Sequence, residues 1–384
     1  MRSVGLDLGA RKISYCEVVN GGVFLRTTVS SVSGLVRLLG PQSPPARVAI
    51  EACRESWAVH ATLSEWGHEV LVVDTTRSRQ LGIGQHGKKT DKIDAEVLAR
   101  AVEQGRIPLA HVLSPARREL RAHLSVRRTL VETRAQYVTT IRGLIRGQLG
   151  GQGVGTCQTE HFVAKLASAT LDEGTRELVA PLVQALVVVD EQIRTTDRKL
   201  EALCAREPVV LLLATAPGVG RLVAAAFVSV IDEAKRFRRA DQVGAYLGLA
   251  PSEDTTGGKR RIGSITKKGN AYMRALLIES AQSILRLKDP DDPLRGWGQA
   301  VAERRGQRIA VVALARRLAC VLWAMWRDGT VYEPARLATK VARGWKEQAQ
   351  SIELRAAALE RAAKKTRPRG RMRNSARQEG HRID

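Results

Sequence analysis

From residue 4 to residue 74 the chain alternates short apolar runs with polar breaks. "VGLDLG" (4–9), "ISYCEVV" (13–19) and "VFLRTTV" (23–29) predict three short strands, the last two joined by the turn "NGG" (20–22). "RVAIEA" (47–52) predicts a fourth strand and "HEVLVVD" (68–74) a fifth, with a helix over 55–67 between them that stops at Gly67. A loop rich in Gly and Lys then leads to a helix over 91–105. Three meandering strands followed by alternating helices and strands make an α/β pattern.

After Ser114 the period lengthens. "SPARRE" supplies Ser114 as N-cap and Pro115 at the first helical position. Leu120, Leu124, Val131, Val138 and Ile145 recur near heptad spacing, and eight arginines from Arg117 to Arg146 fill the other faces. "GQLGGQGVG" (147–155) breaks the pattern before a second helical run over roughly 160–204. Two long helices around a Gly-rich break predict an antiparallel hairpin or coiled-coil arm. The arginines fit either a solvated helix face or a polyanion-holding one. Residues 207–340 follow as a compact, mostly helical region. The tail from Lys364 to Arg377 holds seven Lys or Arg and no acid, the composition of a disordered basic arm. The predicted division is therefore 1–110, 111–206, 207–340 and a basic tail over 341–384.

Charge narrows the partners. With 62 Lys and Arg against 39 Asp and Glu, the formal charge of +23 points to a polyanion, nucleic acid ahead of an anionic membrane surface. The apolar stretches 208–231 and 308–326 are interrupted by Pro217, Arg221 and glycines, or by Arg316 and Arg317. A spanning helix needs ~20 mostly apolar residues, so both are read as buried helices and no membrane is expected. No secretory signal precedes the first strand, and five scattered cysteines without a CxxC argue for a reducing cytoplasm and against structural zinc. Aromatics are only 4% of residues, which makes base stacking secondary to holding phosphates.

Against that positive background the acids stand out. "KTDKIDAEVLAR" (89–100) sets Asp91 and Asp94 three apart on one face of a helix's opening turn, with no Lys or Arg four residues on from either. Asp7 sits in the apolar strand "VGLDLG", and Glu51 ends the apolar strand "VAIE". Acids on the first strand, at the end of the fourth and on a later helix would converge at one edge of a ribonuclease-H-like sheet. Four oxygen donors suit Mg²⁺, with room for two ions ~3.5–4 Å apart for work on a phosphodiester. Lys88, Lys89 and Lys92 would face the phosphates. Taken singly, Asp-x-x-Asp at a helix start also fits capping and dipole stabilisation. A strand Asp before Gly also fits the phosphate loop of actin-like kinases, whose second Asp-x-Gly loop is missing here.

Two further motifs lie beyond residue 210. "LLLATAPGVGRLVAAAFVSVI" (211–231) predicts helix, "PGVG" turn and helix, a connector that aims backbone N–H groups of Gly218 and Gly220 at a phosphate, or binds nothing. "SEDTTGGKRRIGSITKKGNAYMRALL" (252–277) packs hydroxyls and glycines with Lys259, Arg260, Arg261, Lys267 and Lys268, before Asn270 caps a helix carrying Arg274. A hydroxyl beside Gly257–Gly258 suits attack on a phosphodiester or phosphate clamping; a solvated basic loop is the plainer reading.

Taken together, "GLDLG", "IEA", "KTDKIDA", "PGVG" and "GLAPSEDTTGGKRRIGSITKKGN" resemble the DEDD transposases of bacterial insertion sequences, over about residues 3–330 and in the right order. That family includes the Piv and MooV invertases and the bridge-RNA-guided recombinases. The resemblance implies a RuvC-like N-terminal domain, a coiled-coil arm and a mostly α-helical C-terminal transposase domain. It implies that Asp7, Glu51, Asp91 and Asp94 are the metal-binding tetrad, and that the two domains meet at a composite site where a serine hydroxyl attacks DNA. It further implies donor and target double-stranded DNA as partners, a non-coding guide RNA, and a homodimer or homotetramer in the bacterial cytoplasm, nucleoid-associated when bound to DNA. The family's serine, before a Gly and five residues beyond the Pro of "GLAP", is here Thr256 in "DTTGG". Threonine keeps the hydroxyl but adds a β-methyl that stiffens χ1. Thr256 is the expected nucleophile; Ser252, Thr255 or Ser264 could replace it, or the copy could be inactive. Two other classes remain open: a metal-dependent junction nuclease using water, and an inactive nucleic-acid-binding derivative.

Overall fold

The computed structural model describes residues 2–78, 91–148, 154–256 and 259–335, and divides after Ser114 into two compact units. Each unit has its own core.

The N-terminal unit is built on β1 (Arg2–Leu8), β2 (Ile13–Val19), β3 (Gly22–Val29), β4 (Ala46–Glu51) and β5 (Glu69–Val73), in the order β3-β2-β1-β4-β5. The first three strands meander antiparallel, while β1, β4 and β5 run parallel. This mixed sheet is compatible with the ribonuclease-H-like one predicted. Parallel neighbours need crossovers, supplied by the short α1 (Val36–Leu39) and by α2 (Ser56–Glu65). Alternation along β1 decides which residues face which layer. Val4 and Leu6 pack with Leu35, Leu39, Val59 and Leu63 on one side of the sheet. The opposite side is covered by α4 (Asp91–Glu103), which follows the four-residue α3 (Thr75–Ser78) and packs Leu98 and Val102 on Ala49 and Val73. One further acid in this sheet, the buried Glu17, is structural. Arg2 Nε at 2.7 Å and the Tyr15 hydroxyl at 2.6 Å donate to it, and the Arg2 guanidinium holds its carboxyl below the usual range.

The C-terminal unit opens with α5 (Pro115–Gln148), followed by the short α6 (Phe162–Ala167) and by α7 (Glu173–Ala205). Arg117 pairs with Glu207 just past α7, Arg127 with Asp197 and Arg134 with Asp190. Each step up α5 is matched by the same step down α7, so the two helices run antiparallel in one constant register. The pair has a core of its own at the far end, around Val138, Ile141, Ile145, Phe162 and Leu186. At the near end Leu120, Leu124, Leu200 and Cys204 join the main core. That core is closed by α8 (Pro208–Leu213), α9 (Arg221–Ile231), α10 (Ala240–Tyr246), α11 (Ala271–Leu285), α12 (Pro293–Arg305) and α13 (Gln307–Asp328). Helix α13 is long and apolar enough to cross a membrane by composition, yet Leu314, Leu318 and Leu322 on its inner face are fully buried.

The segment read as a solvated basic loop is instead a two-stranded hairpin, β6 (Pro251–Thr256) with β7 (Lys259–Ile265). Polar residues on both faces leave no period-2 signal for a sequence reading to find.

Candidate functional site

Asp7 and Glu51 lie one residue beyond Leu6 and Ile50, the last aligned pair of the parallel strands β1 and β4. Two residues back from each, Gly5 and Ala49 face α4, so by the strand period Asp7 and Glu51 stand on the α4 side as well. Gly5 is what brings that helix so close. A Cβ there would strike the Ala95 carbonyl oxygen and sit 2.6 Å from the Ala99 nitrogen. Helix direction follows from its other end, where Arg100 NH1 donates to Gly21 O at 2.9 Å and the Gly21 N–H donates to Glu103 Oε1 at 3.0 Å. Gly21 lies in the β2–β3 turn, near the start of β1. Helix α4 therefore runs against β1, and its first turn, with Asp91 and the buried Asp94, lies toward the Asp7 end. Arg26 of β3 and Arg100 both pair with Glu96, locking the rotation of α4.

Carboxylate oxygens are hard donors and fit a hard divalent cation in kind. Among the described residues, however, no group of three or more His, Cys, Asp or Glu side chains gathers closely enough to hold a metal. The Asp91 side chain lies outside the described residues, as do Lys88, Lys89 and the Lys92 side chain.

In the C-terminal unit, Thr256 ends β6 and pairs through its backbone with Lys259 across the turn. The side chains of Thr255, Thr256, Lys259 and Arg260 lie outside the described residues. Ser252, one of the alternative nucleophiles, donates its hydroxyl to Ser264 O at 3.0 Å across the hairpin. Arg261 toward the turn of the hairpin, and Lys267 and Lys268 just past its base, are exposed. Arg274 has another task. Its NH1 donates to Leu247 O at 3.1 Å and Lys268 O at 3.0 Å, clamping the loop after β7 onto the end of α10. Asn270 caps α11 as predicted, accepting from Met273 N at 2.9 Å. Gly218 takes a left-handed φ of +68° and lies against the Ser280 carbonyl, so its place in "PGVG" answers a packing demand; Gly220 is the N-cap of α9.

The arm's arginines are largely spent within the fold. Arg117, Arg127 and Arg134 face acids across the hairpin, Arg142 lies over Phe162, and Arg128 over Tyr272. Sequence reasoning also passed over the outer face of α13, where several arginines border an apolar groove.

Comparison with known proteins settles the family. A DEDD-type transposase family model matches residues 4–148, and that of the transposase IS116/IS110/IS902 family matches residues 210–293. A probable family 20 transposase of Pseudomonas aeruginosa is 30% identical over 300 residues, covering 76% of this chain and 87% of its own length. The chain belongs to the IS116/IS110/IS902 family of transposases. This transposase is also 26% identical to the transposase for insertion sequence element IS1328 of Yersinia enterocolitica, over 86% of the chain and 98% of the relative. It is 29% identical to the transposase for element IS1111A of Coxiella burnetii, over 62% and 66% of the two chains. The transposase is thus a DNA-cutting and DNA-rejoining enzyme, and its chemistry is phosphoryl transfer.

Proposed function

We propose that this transposase moves its insertion sequence by Mg²⁺-dependent strand transfer, with Asp7, Glu51, Asp91 and Asp94 as the ion-holding acids and Thr256 as the nucleophile. The observation that carries the reading is the position of Asp7 and Glu51, side by side at one end of adjacent parallel strands and facing the helix that begins with Asp91 and Asp94. Bound there, Mg²⁺ (two ions in this reading) would neutralise charge developing on a scissile phosphate. The Thr256 hydroxyl gives up its proton as it bonds to phosphorus, and the bond from phosphorus to one deoxyribose oxygen breaks, leaving a free DNA hydroxyl. The phosphothreonine ester keeps the bond energy, so a DNA hydroxyl can reverse the step and rejoin strands without an added energy source. Exposed Arg261, Lys267 and Lys268, with Lys88, Lys89, Lys259, Arg260 and the backbone at Gly218 and Gly220, hold phosphates of donor and target DNA. A non-coding RNA pairs with both DNAs and supplies the sequence choice, and the working form is a homodimer or homotetramer in the bacterial cytoplasm.

The test is a denaturation-resistant protein–DNA adduct formed from the full chain, its element's end DNA, the guide RNA and Mg²⁺. Wild type forms it, Thr256→Ala does not, and Thr256→Ser forms as much or more. An undiminished adduct with Thr256→Ala removes that residue from the role. Cleaved DNA with no adduct in any variant would favour a nuclease that uses water.

A further inference from the structure

A groove of about 1440 Å³ in the C-terminal unit is lined by α13, β7, the start of α10 and the stretch that follows α13. Three large apolar side chains in it are unusually bare: Ile262 of β7 is 60% exposed, Val331 50% and Ile309 of α13 48%. Half-buried Val312 and Ala313 extend this surface along α13. Apolar surface gathered in this way and bordered by charge marks a place where something binds.

The charge around it is one-sided. Of the acids that line the groove, Asp241 pairs with Arg239 and Asp328 with Arg327, and Glu333 remains. Against it stand Arg238, Arg305, Arg308, Arg316 and Arg317, and among the described residues no acid pairs with any of these five. Two of the guanidiniums are held by the fold. Arg316 lays its stem on α10, where a Cβ at Gly244 would come within 3.1 Å of its Cγ. Arg317 lies over Trp297, its guanidinium carbon 4.8 Å from the ring centroid. Its Nε is buried with no hydrogen-bond partner among the described residues, and burial pushes its pKa down. A desolvated cation without a counter-charge is costly, and an anion entering the groove relieves that cost.

Bare apolar surface and unpaired arginines in one groove call for a ligand that is both anionic and apolar. Duplex DNA keeps its bases stacked inside and offers its phosphates, whereas an unpaired strand offers phosphates and base faces together. We infer that this groove holds a single strand of the DNA that the transposase opens, with phosphates on the arginines and bases on Ile262, Ile309 and Val331. The groove needs neither Thr256 nor a bound metal for this, so loss of the strand-transfer reading would leave it standing.

Fluorescence anisotropy on the full chain tests this, with labelled oligothymidylate and with a duplex of the element's end, over a series of salt concentrations. Ile262→Ser with Ile309→Ser should weaken single-strand binding ~10-fold and duplex binding less than ~2-fold, leaving the salt dependence unchanged. Arg238→Ala with Arg308→Ala should make the slope of log affinity against log salt shallower by about 1.4 for the single strand, ~0.7 for each lost contact. All four residues are exposed, so the amides of α9 and α11 should keep their protection from hydrogen exchange in both variants. The proposal fails if the serine pair binds oligothymidylate as wild type does, or loses duplex binding equally. An unchanged slope in the alanine pair also sinks it. Oligouridylate bound ~10-fold tighter than oligothymidylate would make RNA the occupant and overturn it. A DNA-free dimer that the serine pair dissociates, seen by sedimentation, would put a second copy in the groove and overturn it equally.

Discussion

A methyl group at Gly5 has nowhere to go, because the backbone of α4 passes directly over it. This close approach explains why the Asp7 strand and the Asp94 helix sit together, and glycine is the only residue that permits it. Gly5→Ala should push α4 off the sheet and cost about 1–3 kcal/mol of stability in chemical denaturation, the range of overpacked cores. Wild-type stability for that variant would mean α4 is not held where described. Thr256 raises a different residue-scale question. Its motif could be read from the sequence, but whether a threonine hydroxyl can take an attacking rotamer depends on its surroundings, which no local pattern encodes. Acids in odd places were the most legible signal of all. Asp7 and Glu51 interrupt apolar strands, and both fall at the same end of the sheet. Glu17 was not legible as a buried acid, since its partner Arg2 lies 15 residues away.

At the scale of elements, apolar alternation foretold β1 to β5 to within a residue or two, because each strand has one face in a core and β1 and β4 have apolar residues on both. The β6–β7 hairpin escaped the same test because its described residues from Pro251 to Glu253 and from Arg261 to Ser264 are all exposed. Helices α5 and α7 were legible as long helices, but the fate of their arginines was not. Acids that neutralise Arg127 and Arg134 come from 70 and 56 residues further on, and only the antiparallel register brings them across. What looked like a basic surface is partly an internal seam. Asp190 is buried within that seam and Arg134 nearly so. Asp190→Ala should therefore strand a buried guanidinium and cost about 3–5 kcal/mol in urea denaturation, while Asp190→Leu with Arg134→Met should recover most of the loss. Equal destabilisation by the single and the paired changes would show that the seam is not held by this ion pair.

Over the whole molecule the charge of +23 fits a transposase, whose substrate DNA is a polyanion. Both units carry a match to transposase families, which explains why motifs from the two ends of the chain were legible together. Less legible was the division itself. The structure divides after Ser114, and in the second unit Leu120 and Leu200 of the long helix pair share one core with α9 and α11. Heptad spacing marks a helix pair without saying what its base is built into. The acids, by contrast, make a claim that one titration can reach. Isothermal titration calorimetry of Mg²⁺ into the full-length chain should give saturable uptake, at least ~10-fold weaker in Asp7→Asn and in Asp94→Asn with circular dichroism unchanged. Uptake of equal affinity in wild type and both variants, or none in wild type, would contradict a metal centre built on these residues.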